Sequence, residues 1–592
     1  MRNYKADTPE NTIKRIKTIL NNYGINTDCM IFGKEGVSYS ARVSIQFSDH
    51  NLNIGTNGKG LTKEYAIASA YGELMERLCN KALIFATKYS CKQFLKHNSD
   101  LKDLEPLNLA FRYFPDEQYK TISAEELLSW TEELLPNSFF AQNPFLNEWF
   151  DMPFLPFKDY FKQTTRYLPY DMLRLAAGST GLCAGNTKEE AILQGINEIF
   201  ERYVLQRIYI DQPRLPSIRL EAFSDSEIGK RIQLLQEQTK WRFIIKDCSL
   251  GKGFPVMGLM IIDDIQGKFT FRLGADLSDE IALQRCFTEI FQGNNIDTSA
   301  FLPITISENL NITKEYENNL INGRGLFPES IFIDDAEIYE NSLKPVSGNN
   351  IEECLTNVLD WLRQHNYNLY IRDNSFMNFP VYHLYIPGLS DISNSLSDIS
   401  THLLGKDEHY KIKEEFRLKR ICIDEARSIV NKYRYDNKTV VRLFDYSLSP
   451  YNTVNRNLIL SMLSYFIGED KDAHSFMSAF LESKESNGQG LSSYYYCVKD
   501  LFLLKYKKYK IEDIVKILCT LYGQSIANEV CTDLQNRDRI LMNFPIPDCF
   551  NCNTCNMKQH CDYESIVKFE SFLQYIQKQY QVTGTRPFLG KM

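Results

Sequence analysis

The sequence YAIASAYGELMERL, residues 65–78, decides the fold because it predicts a buried helix that nevertheless carries acidic groups. Ser69, Glu73 and Glu76 follow one another at i, i+4 and i+7, so they share one face of the helix. The remaining residues are almost all apolar or small, which is typical of a helix inside a protein. A buried carboxylate is costly unless it is paired or binds a metal, so this face predicts a cation.

The same pattern recurs in residues 191–205, AILQGINEIFERYVL, and in residues 281–292, IALQRCFTEIFQ. The polar faces of these two stretches consist of Gln194, Glu198 and Glu201, and of Arg285, Glu289 and Gln292. Taken alone, each face fits the usual solvated helix surface with local ion pairs. Three repeats in apolar surroundings, with Glu in excess over Arg, favour one shared site for a divalent metal and a polyphosphate. Hard oxygen ligands at such a site suit Mg²⁺.

The three faces also carry a family resemblance. The series Ser69-x3-Glu73-x2-Glu76-Arg77, Gln194-x3-Glu198-x2-Glu201-Arg202 and Arg285-x3-Glu289 resembles the signature of the YcaO family. The runs TNGKG at 56–60, AGNT at 184–187 and IPGLSD at 386–391 resemble the same family. The resemblance covers at least residues 1–400 and implies an α/β core, of the α+β YcaO type, in which sheets enclose buried helices.

The resemblance implies binding of ATP and Mg²⁺ in this core. The residues implied to hold Mg²⁺ are Glu73, Glu76, Glu198, Glu201 and Glu289. The residues implied to bind ATP are Lys5, Thr12, Lys59, Ser69, Arg77, Asn186, Gln194, Arg202 and Arg285. No catalytic side chain is identified, since the sequence shows no Ser-His-Asp or Cys-His arrangement and its eight histidines are dispersed.

Three of these residues keep a simpler interpretation. Lys5 is equally well explained as a solvated lysine. Lys59 lies between two glycines, whose backbone N–H groups suit phosphate, but an Asn-Gly pair is also an ordinary turn. Asn186 precedes the second glutamate helix and equally fits a helix cap.

Length and composition exclude several classes of protein. The 592 residues are 43% hydrophobic and 24% charged, as in soluble proteins of several domains. A formal net charge of −8 disfavours a dominant nucleic-acid surface. No apolar run approaches a membrane span, and the first residues lack a signal-peptide core, so we expect a cytoplasmic protein.

The organisation along the chain predicts two domains. Residues 1–400 form the ATP-binding core, in which residues 90–170, rich in Phe, Tyr, Leu and Pro, are expected to be an insertion or cap. Residues 401–592 show apolar residues at helical spacing and predict an all-helical domain of antiparallel pairs. This domain is called tetratricopeptide-like by resemblance only, because no 34-residue repeat is evident.

A cysteine cluster at 549–561 departs from the family pattern. Cys549-x2-Cys552-x2-Cys555-x5-Cys561 places four thiols close together, with His560 beside the last. Such spacing predicts a bound Zn²⁺ or an iron–sulfur cluster and does not separate the two. Free thiols are the simpler alternative, and a reducing compartment disfavours disulfides.

The resemblance implies phosphorylation of a backbone amide oxygen in a peptide, which converts it into a leaving group for an attacking Cys, Ser, Thr or sulfide. The helical tail resembles the stand-alone bacterial branch, which implies an accessory factor for β-methylthiolation of an aspartate on ribosomal protein S12, with a radical methylthiotransferase as partner. The alternative is an ATP-dependent cyclodehydratase or thioamide-forming enzyme, although the ending TRPFLGKM lacks the proline-rich tail of azoline-forming members. A third interpretation is a scaffold protein, stabilised by a metal at the cysteine cluster, that binds ATP without hydrolysing it. A homodimer is compatible with all three.

Overall fold

The computed structural model describes fourteen stretches of the chain and divides it into two compact units. The described residues are 5–47, 50–82, 116–136, 149–292, 301–304, 310–334, 348–392, 422–434, 440–442, 453–485, 492–535, 569, 572–573 and 575–580. The first unit takes in Met1–Leu83, Tyr113–Leu403 and Phe572–Met592. The second takes in Ile84–Arg112 and Leu404–Ser571. The boundary predicted near residue 400 stays a prediction.

The first unit begins with a helix and a three-stranded antiparallel sheet in the order β1-β2-β3. Its elements are α1 (Pro9–Asn22), β1 (Ile25–Lys34), β2 (Ser38–Phe47), β3 (His50–Gly60) and α2 (Lys63–Cys79). Thr8 begins α1 because its side-chain oxygen accepts a hydrogen bond from the Asn11 N–H at 3.3 Å, and Pro9 occupies the first helical position.

A six-stranded sheet follows, in the order β4-β5-β13-β14-β7, with β6 paired to β5. Its strands and the adjoining helices are β4 (Gln118–Ser123), α3 (Ala124–Leu134), β5 (Trp149–Asp159), β6 (Thr165–Pro169), α4 (Tyr170–Ala177), β7 (Leu182–Ala184), β13 (Tyr370–Asp373) and β14 (Val381–Tyr385). Three of these strands, β4 to β6, belong to the segment expected to be an insertion or cap. In the described part of that segment they pair into the sheet itself.

A five-stranded antiparallel sheet in the order β12-β11-β10-β9-β8 completes the first unit. Its strands and the neighbouring helices are α5 (Lys188–Asp211), β8 (Ser217–Ile218), α6 (Glu227–Thr239), β9 (Arg242–Asp247), β10 (Val256–Asp263), β11 (Lys268–Ala275), α7 (Asp279–Ile290), β12 (Leu302–Pro303), α8 (Ile312–Asn322) and α9 (Ile351–Gln364). Short 3-10 helices lie at Leu220–Phe223 and Glu329–Phe332. β10 is buried along its whole length, as its run of apolar residues predicts.

Each of the three sheets sends one strand directly into one of the glutamate helices, so the fold contains a threefold repeat. β3 leads into α2, β7 into α5, and β11 into α7. The residues before these helices are Thr62, Thr187 and Ser278, and the eleventh residue after each is a glutamate: Glu73, Glu198 and Glu289. The chain thus repeats one strand–helix unit three times.

The repeat closes on itself. α2 packs against β7 as well as β3, α5 packs against β11 as well as β7, and α7 packs against β3 as well as β11. Glycine permits this close packing: a Cβ at Gly58 of β3 would lie 2.1 Å from the Ala66 carbonyl oxygen, and one at Gly274 of β11 would lie 2.5 Å from that of Ala282. The ring of contacts brings the three polar helix faces to one place.

The second unit is predominantly helical. Its described elements are α10 (Ile423–Tyr433), β15 (Val440–Arg442), β16 (Thr453–Asn455), α11 (Arg456–Phe466), α12 (Asp470–Glu485), α13 (Ser493–Tyr506), α14 (Ile511–Tyr522) and α15 (Gln524–Gln535). Leu463, Phe502 and Leu518 are fully buried in its core.

The α/β core and the helical C-terminal region are confirmed, but the all-helical prediction for residues 401–592 is wrong in one detail. β15 and β16 form an antiparallel pair, with Val441 opposite Val454. β-branched Val and Thr side chains favour extended backbone, which explains the local difference. The tetratricopeptide-like assignment stays a prediction. No helix in the described stretches combines the length and the apolar character needed to cross a membrane.

Candidate nucleotide and metal site

The polar faces of α2, α5 and α7 meet in the first unit, as the sequence predicts. The Arg285 guanidinium on α7 donates from Nη1 to the Gln194 side-chain oxygen on α5 at 2.8 Å. Lys59, at the end of β3, forms an ion pair with Glu289 on α7. Glu198 on α5 lies near enough to Glu76 on α2 to raise its pKa. Every pair of helices is therefore linked through polar side chains or through the strand that precedes one of them.

Two glutamates on different helices have raised pKa values. Burial raises the pKa of Glu76 well above its ordinary value, and Glu198 and Glu73 add to the rise while Arg77 opposes it. Burial also raises the pKa of Glu198, against the guanidinium of Arg77 among others. A cation between the two helices would oppose this rise, because it favours the charged form of both carboxyl groups.

Arg77 shows that the end of the α2 face around Glu76 is not a solvated surface. Its Nη2 lies 3.4 Å from a Glu73 carboxylate oxygen and its Nε lies 3.4 Å from a Glu76 carboxylate oxygen. The side chain of Glu76 is only 13% exposed. Burial acts to lower the pKa of Arg77, but Glu76, Glu73 and Glu198 outweigh it, so the pKa is raised.

Lys59 brings a positive charge into the cluster. Burial lowers the pKa of Lys59 to about 8, while Glu201 and Glu73 act against this shift and Arg285 acts with it. The TNGKG run that contains Lys59 is the end of β3 rather than an isolated turn, with Ala41 of β2 opposite Gly58.

A second polar network lies at the start of α5. Lys5 Nζ lies 3.2 Å from a Glu190 carboxylate oxygen, and the Asn186 side-chain nitrogen donates to the same carboxylate at 3.3 Å. Asn186 also donates to the Thr12 hydroxyl at 3.0 Å. The helix cap is Thr187, whose side chain accepts from the Glu190 N–H, so Asn186 does not perform that role. Lys5, Thr12 and Asn186 thus come together, as a common role predicts.

The other predicted residues are placed as follows. Glu201 and Arg202 lie on α5, partly buried, within electrostatic range of Lys59. Ser69 lies exposed on α2. The structure brings the first two to the three-helix cluster, whereas the Ser69 side chain faces solvent.

Sequence reasoning missed two acidic residues. Glu190 is the centre of the second network, accepting from the Ala6 N–H at 3.1 Å as well as pairing with Lys5. Burial raises the pKa of Asp276, which Arg285 and Lys5 act to lower, so its carboxyl group lies between the two networks. Asp276 stands two residues before the cap of α7, where the other repeats have Gly60 and Gly185. This break in the repeat was the available signal.

The cluster has the donor types that Mg²⁺ and a polyphosphate require. Its carboxylate oxygens are hard ligands, its lysine and arginines suit phosphate, and the Arg285 Nε is buried without a hydrogen-bond partner among the described residues. No three acidic, His or Cys side chains of the described residues stand ready to enclose a metal ion. Arg77 and Lys59 instead occupy carboxylate oxygens. In proteins, Mg²⁺ is usually bound by one or two carboxylates together with the phosphates of a substrate. The residues of this cluster therefore fit Mg²⁺ bound together with a polyphosphate better than Mg²⁺ alone.

The predicted Zn²⁺ or iron–sulfur site lies outside the described residues, because Cys549, Cys552, Cys555 and Cys561 all do. It stays a prediction.

Comparison with known proteins decides the family. The family model described as "YcaO cyclodehydratase", binding ATP and Mg²⁺, matches residues 57–390, which contain all three glutamate helices. The chain belongs to the YcaO family. The family resemblance of the sequence motifs is thereby confirmed.

Two curated proteins are similar to the chain over part of their length. The chain is 29% identical over 356 residues to "Ribosomal protein S12 methylthiotransferase accessory factor YcaO" of Escherichia coli, a match that covers 57% of each protein. It is 27% identical over 368 residues to an uncharacterized protein of Haemophilus influenzae, again over 57% of each. The chain therefore matches little more than half the length of either relative.

Solved structures also resemble the chain. A heterocyclase in complex with substrate and cofactor has a TM-score of 0.44 and 16% identity, covering 66% of this chain and 54% of the other. The YcaO protein of Methanopyrus kandleri, bound with AMPPCP and Mg²⁺, has a TM-score of 0.40 and 15% identity, covering 65% and 92%.

Proposed function

We propose that the first unit binds ATP with Mg²⁺ where α2, α5 and α7 meet. The observation that supports this most directly is the meeting of two carboxyl groups on different helices, Glu76 and Glu198, whose pKa values are raised by burial. Membership of a family described as binding ATP and Mg²⁺ supports the same ligands. The proposed Mg²⁺ ligands are Glu73, Glu76, Glu198, Glu201 and Glu289.

The remaining predicted residues would bind ATP. Arg285, oriented by its hydrogen bond to Gln194, and Lys59 would neutralise phosphate charge. Lys5, Thr12 and Asn186 already form one network, and we place it on the nucleotide as a unit. Ser69, Arg77 and Arg202 complete the proposed set.

We propose that the bound ATP activates a backbone amide of a peptide. The amide oxygen attacks the γ-phosphorus, ADP leaves, and a nucleophile then adds to the amide carbon before phosphate departs. Mg²⁺, when bound, would offset the charge on the transferring phosphoryl group. This chain contributes the positive charge of Arg285 and Lys59 on the phosphate side and the hydrogen bonds that orient the nucleotide.

For the biological role we favour an accessory factor in β-methylthiolation of an aspartate on ribosomal protein S12, with a radical methylthiotransferase as partner. The name of the Escherichia coli relative supports this role, and the C-terminal region, residues 401–592, would dock the partner. The alternative, a cyclodehydratase or thioamide-forming enzyme acting on a ribosomally made peptide, is supported by the description of the family model.

Calorimetry of ATP with Mg²⁺ tests the site. Glu73→Gln combined with Glu201→Gln should abolish Mg²⁺-dependent binding while the fold is retained. Glu64→Gln provides the matched control, because Glu64 lies exposed in the first turn of the same helix. Unchanged binding in the double variant would show that the glutamate faces are structural and would overturn the proposal.

ATP hydrolysis separates the roles once binding is established. Hydrolysis stimulated by ribosomal protein S12 together with the methylthiotransferase would support the accessory factor. Hydrolysis stimulated by a precursor peptide encoded beside the gene would support the peptide-modifying enzyme. Binding without hydrolysis under every condition would leave the scaffold interpretation.

A further inference from the structure

Arg272, on β11, carries a guanidinium group that has no acidic partner among the described residues. It is partly buried, and the acceptor that the described residues offer it is the carbonyl of the preceding Phe271, 2.9 Å from Nη1. β12 pairs with β11 only at Lys268 and Phe269, so no described strand covers the outer edge of β11 at Arg272. A charged group withdrawn from water normally has a partner of opposite charge. Arg272 therefore has a place for an anion beside it.

The charges that act on Arg272 from the described residues are themselves positive. Burial lowers the pKa of Arg272 to about 10, and the guanidinium groups of Arg324 and Arg202 act in the same direction. Tyr209 opposes this shift, and the pKa remains high enough to keep Arg272 charged at neutral pH. Three guanidinium groups therefore converge on one place, and such a concentration of positive charge attracts an anion.

The loop that follows α8 is held against Arg272 by hydrogen bonds. A Cβ at Gly323 would lie 2.8 Å from Nη2 of Arg272, so glycine allows the loop backbone to approach the guanidinium group this closely. The Tyr209 hydroxyl of α5 donates to the Leu326 carbonyl at 2.8 Å. The Leu326 N–H donates to the Glu315 carboxylate of α8, also at 2.8 Å. These bonds fix the loop, and with it the arginine that follows its first glycine, before any ligand binds.

The three guanidinium groups lie past the glutamate cluster along α5. Glu198 follows Glu190 by eight residues and Tyr209 follows Glu198 by eleven, which corresponds to about 12 Å and about 16 Å of helix. Arg202 and Tyr209 share one face of α5 at i and i+7, and both act electrostatically on Arg272. On the proposed function, the nucleotide lies on the network around Glu190 and its phosphates at the glutamates. The guanidinium groups then lie on the far side of the phosphates, where the substrate would bind.

We propose that Arg272, with Arg324 and Arg202 beside it, binds an acidic side chain of the peptide substrate, close to the amide that ATP activates. A planar guanidinium group donates two parallel N–H bonds to a carboxylate, which suits it to an aspartate or glutamate. The position next to ATP rests on the proposed function, whereas the binding of a carboxylate does not. Inorganic phosphate is another source of such oxygens, and the experiment separates the two.

Titration of the full chain with capped amino acids, followed by NMR without nucleotide, tests the site. The α-amide of N-acetylaspartate should bind about tenfold more tightly than the α-amide of N-acetylasparagine, which has the same shape without the charge. Arg272→Gln should remove this preference, and Arg324→Gln should reduce it. Arg219→Gln is the matched control and should keep the full preference, because Arg219 is exposed and does not act on Arg272.

Three results would overturn the proposal. The first is equal binding of the two capped amino acids by the wild type. The second is a preference that survives Arg272→Gln or, if that variant does not fold, a preference that is unchanged in Arg324→Gln. The third is inorganic phosphate that displaces the aspartate derivative and binds more tightly, which would assign the site to phosphate.

The binding of ATP with Mg²⁺ keeps this proposal separate from the proposed function. Arg272→Gln should leave the affinity for ATP with Mg²⁺ unchanged, and a tenfold loss would assign the guanidinium group to the nucleotide and overturn the carboxylate site. Glu73→Gln combined with Glu201→Gln should abolish ATP binding while the preference for the aspartate derivative remains. Failure of one site is therefore visible without failure of the other.

Discussion

The two units bury polar groups in opposite ways. In the second unit, the buried Ser461 hydroxyl donates to the Ala473 carbonyl at 2.7 Å and the buried Tyr465 hydroxyl donates to the Leu534 carbonyl at 2.9 Å. These groups are neutral and satisfied within the chain. In the first unit, Glu76 and Glu198 are ionisable groups whose burial raises their pKa values. These two hydroxyls need no ligand, whereas the burial of the two carboxyl groups in the three-helix cluster is a cost that a bound cation would offset.

The largest effect should follow from damage to the second unit. Leu463 is fully buried in the core of this unit, so Leu463→Ala removes apolar contacts and leaves a cavity. We expect the free energy of unfolding of this unit to fall by about 2–5 kcal/mol. Denaturant titration followed by circular dichroism measures the change.

Leu521→Ala is the control for Leu463→Ala, because Leu521 is 61% exposed on α14. A loss for Leu463→Ala no larger than for Leu521→Ala would mean that the helical core is loosely packed. The second unit would then not have the well-packed core that distinguishes it from the three-helix cluster.

A smaller effect of opposite sign should follow in the first unit. Because the folded state raises the pKa of Glu76, this carboxyl stabilises the protein at low pH and loses that contribution as pH rises through the raised pKa. At neutral pH without Mg²⁺, Glu76→Gln should therefore increase the free energy of unfolding, by about 1 kcal/mol. The same variant should lose the stabilisation that ATP with Mg²⁺ gives the wild type.

Thermal unfolding with and without ATP and Mg²⁺ measures both parts of this prediction. Glu64→Gln, on the exposed first turn of α2, should change neither. If Glu76→Gln destabilised the metal-free protein, the carboxylate would be a structural partner of Arg77. The buried polar groups of the first unit would then be satisfied within the chain, as the buried hydroxyls of the second unit are.

The sequence predicted those helices and strands whose apolar and polar residues follow a regular spacing. The spacing in residues 65–78 placed Glu73 and Glu76 on one helix face, and the structure confirms that face. The sequence also predicts strands at 242–247, 254–262 and 268–274, and β9, β10 and β11 lie close to these ranges. Periodicity reports which residues share a face, and these elements needed nothing more.

The sequence did not predict β5, because Pro153 and Pro156 argue against a strand. The structure explains the exception: at Pro153 the strand pairs only with β4, and at Pro156 only with β6. At each proline only one side of β5 is paired with another strand, so the missing backbone N–H costs no hydrogen bond to a second strand. This depends on the tertiary arrangement and is not visible in the local pattern.

Asp276 and Glu190 were missed for a related reason. Each acquires its role from a partner far away in the chain, Glu190 from Lys5 and Asp276 from Arg285 and Lys5. Asp276 lies before its helix and outside the spacing of the glutamate faces, and Glu190 stands four residues before Gln194, ahead of the part of the face that the three helices repeat. Long-range electrostatic partners of this kind become visible only when the three strand–helix repeats close into a ring.

The smallest expected effect is the release of protons when ATP and Mg²⁺ bind, and it tests the difference between the two units most directly. The raised pKa values of Glu76 and Glu198 mean that both carboxyl groups hold protons more strongly than usual in the metal-free protein, whereas a bound cation requires both as carboxylates. Binding of ATP with Mg²⁺ should therefore release fewer than about two protons, one per carboxyl at most, and the affinity should rise with pH. Calorimetry in Tris and in PIPES, whose ionisation enthalpies differ, measures the release after subtraction of the protons lost by ATP itself. Glu76→Gln combined with Glu198→Gln should abolish the excess. Heats that show no excess in the wild type would mean that both carboxyls are already ionised, so that Arg77 and Lys59 compensate the cluster and the three-helix site is as self-sufficient as the second unit.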